Sequence, residues 1–120
     1  MSLARVTELL EPVIVSPANQ TTTNSYADVT GSKIDSLTKG KVCYTIKNAH
    51  AANSIDWKVL ASIDDTTYVE VEAEAAVAGT ATSSWEASAT EVSYRYFKVQ
   101  VKSTVAETHG TAQVRGYAKI

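Results

Sequence analysis

The chain has 120 residues, 44% of them hydrophobic, with a formal charge of -2 and a single cysteine. That length fits one ordinary domain that buries a two-layer core without metal or disulfide support, and Cys43 has no partner for an intramolecular bridge. A net negative chain has no general attraction for nucleic acid or an anionic membrane. No apolar stretch is long enough to cross a bilayer, and Met1–Glu8 lacks the uninterrupted apolar run of a secretory signal.

In chain order, Leu3, Val6 and Leu10 have approximate helical spacing, while Val6 and Val13-Ile14-Val15 are equally compatible with edge strands. Residues 1–25 are read as an extended N-terminal arm and polar loop, ahead of a β domain over 26–120. Asn19-Gln20-Thr21 matches a glycosylation acceptor, a pattern that chance produces easily, and is given no role. Tyr26–Thr30 is the next extended segment, with Gly31 as its turn residue. Lys41–Lys47 alternates Val42, Tyr44 and Ile46 against Lys41, Cys43, Thr45 and Lys47; Cys43 reads as a small buried hydrophobe in preference to a nucleophile. Residues 48–53 make a surface loop.

The run Ile55–Val71 is a strand, a turn and a strand. Ile55, Trp57, Val59, Ala61 and Ile63 share one face, and Asp64-Asp65-Thr66-Thr67 supplies the turn. Glu72–Gly79 is Ala-rich and helix-compatible, and is read as a loop with a short strand, before Thr80–Trp85 returns to strand chemistry. Tyr94–Lys102 turns Phe97, Val99 and Val101 inward and Tyr96, Lys98, Gln100 and Lys102 outward. Thr111–Ile120 alternates Ala112, Val114, Gly116, Ala118 and Ile120 with polar residues. Strands of this kind, each with one apolar face to cover, predict an all-β fold: an antiparallel β-sandwich or jelly roll.

No reactive motif emerges. His50 and His109 belong to no close metal-ligand pair, and neither a nucleophile elbow nor a phosphate-cradling loop occurs. No cofactor, metal or catalytic residue is expected. Asp64, Asp65, Glu70, Glu72 and Glu74 form an acidic tract, whereas Arg95, Lys98, Lys102, Arg115 and Lys119 make the last strands basic. Cross-strand pairing on solvated faces accounts for this more simply than complementary docking between copies. Trp57 shares the core phase; Trp85 is a core plug, an interface anchor or a sugar platform, in that order.

Two resemblances follow from these residues. Trp57–Val71 together with Tyr94–Val101 resembles the Ser-x-Asp-Gly-x-x-Trp and Arg-Tyr-aromatic-basic patterns of discoidin-like, galactose-binding jelly-roll domains, with Asp65 where those have Gly and Tyr68 where they have Trp. Ser16-Pro-Ala-Asn-Gln-Thr21, Tyr26–Ser32, Tyr44–Asn48 and the hairpin look like small β-sandwich virion proteins of tailed bacteriophages. The second resemblance covers more of the chain. It implies a non-enzymatic capsid decoration or cement protein, or a tail-associated one, made in the host cytoplasm and resident in the virion. Its partners would be phage capsid or tail proteins and its own copies, with a trimer favoured, and the arm, through Leu3 and Val6, would touch the lattice. The first implies a carbohydrate-binding module with Trp85 and Tyr68 as its platform.

Overall fold

The computed structural model describes residues 11–37 and 39–120, with side chains for all of these except 73 and 74. The helical or strand alternatives for Leu3, Val6 and Leu10 lie outside the described residues. Ten strands occur among the described residues: β1 (Val13–Val15), β2 (Gln20–Thr21), β3 (Ala27–Asp28), β4 (Ile34–Asp35), β5 (Lys41–Asn48), β6 (Ile55–Ser62), β7 (Val69–Val77), β8 (Thr82–Glu86), β9 (Tyr96–Ser103) and β10 (Thr111–Lys119). Their pairing is that of one long hairpin rolled on itself. β6 lies against β7 at the tip, then β5 against β8, β3 and β4 against β9, and β1 and β2 against β10, all antiparallel. Rolling places β10 beside β5 and β9 beside β6. One sheet thus runs β1-β10-β5-β8 with β2 also on β10, and the other runs β3-β9-β6-β7 with β4 also on β9. This is an antiparallel β-sandwich with jelly-roll connectivity, as the alternation predicts.

The same alternation builds the core. Val42, Tyr44 and Ile46 of β5, Ile55, Trp57, Val59 and Ala61 of β6, Phe97, Val99 and Val101 of β9, and Ala112, Val114 and Ala118 of β10 are all buried between the layers. The apolar series continues past each strand only in sequence: Ile63 is 71% exposed in the turn and Ile120 lies beyond β10 in solvent. Cys43 also departs from its reading as a buried hydrophobe, since it lies half-buried on the outer face, opposite Tyr117 and Glu86. Burial foremost, and then the Glu86 charge, push its thiol above the ordinary cysteine range, so it is a poor nucleophile.

One further departure has a physical cause. Glu72–Val77 is strand rather than loop, because β7 pairs along β6 and sends Val71, Ala75 and Val77 onto the core; that packing outweighs the helical preference of its alanines. The extra length is absorbed by register shifts at Trp57/Val59 and Val59/Leu60. Val13–Val15 takes the edge-strand alternative of its stretch, and Gln20–Thr21, read as part of the arm and loop, also pairs with β10.

Three polar side chains tie the layers. The Tyr44 hydroxyl of one sheet sits 2.6 Å from the Ser32 carbonyl and 3.0 Å from that of Phe97 in the other. Burial holds its phenol far above the usual tyrosine range, so it stays a donor. Gly116, directly opposite on β10, makes room for the ring, since a Cβ there would lie 2.6 Å from Tyr44 Cε1. Asn48, at the end of β5, donates to the carbonyls of Asn53 (2.6 Å) and Val77 (3.1 Å) and accepts from the amides of His50 (3.1 Å) and Thr111 (3.3 Å). Ser103 joins Thr22 (2.9 Å) and His109 Nδ1 (2.7 Å), pinning the β2–β3 connection to the β9–β10 loop.

Candidate functional site

The two outer faces of the sandwich treat charge differently. On the β3-β9-β6-β7 face every lysine of the central strands, and Arg95 just before β9, meets a carboxylate. Lys98 pairs with Asp28 (3.0 Å), Lys58 with Glu70 (2.8 Å) and Lys102 with Asp56 (3.8 Å), while Arg95 Nε and Nη2 each lie 2.9 Å from Asp35. Tyrosines are interleaved, with Lys58 4.2 Å from the centroid of Tyr26, Lys98 4.2 Å from that of Tyr68, and Arg95 4.9 Å from that of Tyr96. For this part of the acidic and basic tracts, cross-strand pairing is therefore what the side chains do.

These pairs add a modest acid dependence to stability. The Arg95 hydrogen bonds hold Asp35 below the ordinary carboxylate range, and the Lys33 hydrogen bond does the same for Asp65. For Asp28 burial pushes upward most strongly, but the Gln100 and Lys98 hydrogen bonds and the Lys98 charge together outweigh it. Carboxylates depressed in the folded state bind fewer protons there than in the unfolded chain. Their contribution is complete above the unfolded value near 3.8 and is lost as pH falls through the lower folded values. The thermal midpoint is expected to be level from neutrality to roughly pH 5 and to fall modestly below roughly pH 4. An acid limb unchanged in the Asp35→Asn variant would disprove the assignment.

The β1-β10-β5-β8 face is unlike this. Its three long strands present Lys41, Lys47, Arg115 and Lys119 outward against one carboxylate, Glu86. None of these four cations forms an ion pair with a described carboxylate; Arg115 Nη1 donates instead to the carbonyls of Pro17 (3.1 Å) and Val114 (2.7 Å). The register sets Lys119 directly opposite Lys41, a like-charge pair that costs stability on an open sheet. Beside it runs an apolar row in cross-strand register, Ile14, Tyr117 and Cys43, with Ile14 68% and Tyr117 36% exposed. A shallow depression of about 250 Å³ between Lys41, Cys43, Glu86, Tyr117 and Lys119 completes the patch.

The residues singled out in the sequence do not come together. Trp85 is 6% exposed and packs against Tyr44 and Phe97, with ring centroids 6.3 and 5.9 Å away; it is the core plug and offers no face to a sugar. Tyr68 is half-buried in the β6–β7 loop, its hydroxyl donating to Asp65. Leu3 and Val6 lie outside the described residues. His50 Nδ1 accepts from the amides of Ala52 and Asn53 (3.0 Å each) and so organises its own loop. Among the described residues no three histidine, cysteine or carboxylate groups converge as a metal site. The basic patch was only half visible in the sequence: the outward phase of β5 shows Lys41 and Lys47, but their meeting with Lys119 depends on the β10–β5 register.

Neither a family model nor a curated relative matches the sequence. Solved structures do share the fold. The SPBc2 prophage-derived protein YomS is 14% identical, with a TM-score of 0.53 over 90% of this chain and 94% of that one. A protein of Bacillus endospore appendages, a family of disulfide-linked pili, is 14% identical, with a TM-score of 0.52 over 92% of this chain and 86% of that one. A chain of the T13 viral particle of infectious bursal disease virus is 11% identical at a TM-score of 0.56; the match covers 92% of this chain but 31% of the viral one. At such identities the likeness establishes the β-sandwich and nothing about activity.

Proposed function

We propose that the protein is a non-enzymatic structural component of a virion, a decoration, cement or tail-associated subunit that binds across joints in an assembled lattice. The observation that carries this reading is the Lys41/Lys119 face. Lys41 and Lys119, opposite each other in register beside the partly exposed Ile14–Tyr117–Cys43 row, form a surface that gains from an acidic partner, which would offset the two like charges and cover the apolar strip. Binding only the assembled state would stabilise that state by mass action, with no chemistry needed. The shared fold with a prophage-derived protein and with a viral-particle chain supports the setting, and jelly rolls recur in capsid proteins. Within this reading the protein acts as a homo-oligomer, a trimer by preference, and Leu3 and Val6 supply a second contact with the lattice.

Mass and symmetry in solution, followed by co-sedimentation with candidate phage heads and tails, test the proposal. The native chain should pellet with one of them at low salt and progressively less as salt rises. The Lys41→Glu/Lys119→Glu double variant should remain folded and lose at least tenfold in affinity, about 1.4 kcal/mol or more. Indifference of lattice binding to both salt and the double variant would reject this face as the docking surface. A monomer with no affinity for any particle would reject the function.

A further inference from the structure

The other outer face carries a groove of about 520 Å³ between the β3–β4 turn and the β6–β7 hairpin loop, within the roughly 300–1,000 Å³ range of small-molecule sites. Lys98 forms its floor, between the Asp28 carboxylate at 3.0 Å and the Tyr68 ring. Lys33 of one lip reaches Asp65 of the other at 2.8 Å, and the Tyr68 hydroxyl donates to the same carboxylate. Two ammonium groups and two carboxylates thus alternate around one half-buried aromatic ring.

Both lips are held in place before any ligand arrives. Gln20 clamps the first: its Nε2 donates to the Asp28 carbonyl and its Oε1 accepts from the Thr30 amide, each at 3.1 Å. The turn closes through Ser32 N–H to the Val29 carbonyl (3.0 Å), and Gly31 occupies the left-handed region there at φ 85°. In the second lip Ser62 Oγ accepts from the Asp64 and Asp65 amides (3.2 and 3.0 Å), and Asp64 Oδ1 accepts from those of Thr66 and Thr67 (2.9 Å each). A groove fixed in this way loses little entropy on binding.

The charge arrangement selects the ligand. Each ammonium is already matched by a carboxylate, so an ionic ligand must break a pair to enter, whereas hydroxyl groups donate to a carboxylate lone pair and accept from an adjacent ammonium without separating them. Adjacent hydroxyls on a ring match the carboxylate–ammonium spacing, and the C–H face of such a ring suits an aromatic wall. We propose that this groove is a binding site for an uncharged saccharide of one or two rings. Asp28 and Asp65 accept from its hydroxyls, Lys33 and Lys98 donate to it, and Tyr68 forms the apolar wall. The site is independent of the basic face on the opposite sheet.

An amide NMR titration of the intact chain with a panel of neutral mono- and disaccharides tests this. At least one sugar should give saturable shifts centred on residues 29–33 and 64–68, with affinity in the millimolar range. Asp65→Ala should weaken binding at least tenfold. Thr30→Trp, which fills the groove from an exposed rim position and leaves the core untouched, should abolish it, while the Lys41→Glu/Lys119→Glu variant should bind as the native chain does. Three results would overturn the proposal: no saturable response to any neutral sugar at tens of millimolar, binding confined to sialylated or sulfated sugars, or full binding by Thr30→Trp.

Discussion

An Asn48→Ala variant is expected to unfold about 3 kcal/mol more easily than the native chain in urea, with an unchanged denaturant slope. Asn48 is fully buried and uses both amide hydrogens and its carbonyl oxygen on four backbone groups from the β5–β6 loop, β7 and β10. Truncation strands those groups, and each buried orphan costs on the order of 1–3 kcal/mol, less where water reaches it. Asn48→Asp is the informative companion. It keeps the shape but replaces a double donor with an oxygen facing two carbonyls, so it should be at least as damaging at neutral pH. A loss below about 1 kcal/mol in both variants would show that the four contacts are replaceable by solvent.

Trp85→Ala is expected to cost about 3–5 kcal/mol, a large share of the roughly 5–15 kcal/mol that holds a domain of this size together. The indole fills the space between Tyr44 and Phe97, where the sheets face each other across β8. Thermal and urea unfolding would measure the loss directly, and Trp85→Phe should recover about half of it. A Trp85→Ala chain of native stability would place the side chain outside the core. The same expectation governs how glycan binding is tested: loss of sugar binding in Trp85→Ala would report an opened core, which is why the groove variants are the ones to use.

What was legible in the sequence was whatever depends on a period of two. Alternation around Trp57, Phe97 and Val114 gave the buried faces of β6, β9 and β10, and so the sandwich. It failed where tertiary pairing overrode local preference. Glu72–Val77 looks helical or irregular until β6 is beside it, and Ile63 continues an apolar series after the strand has turned. Surface constellations were less visible still. Lys41 and Lys119 are 78 positions apart and meet through one register; Lys33, Asp65 and Lys98 come from three elements brought to one groove by the roll. Aromatic residue type suggested Trp85 and Tyr68 as a joint platform, but Trp85 turns into the core from β8 while Tyr68 lies on the surface in the β6–β7 loop.

The hydroxyl of Tyr44 has a mechanical consequence. Apolar contacts between the layers interlock by shape but carry no directional bond. A phenol anchored in one layer and bonded to two carbonyls of the other acts as a dowel, because any lateral displacement breaks directional bonds before new ones form. Under a load along its sheets the domain would therefore resist shear at its centre and yield first where its edge strands peel away.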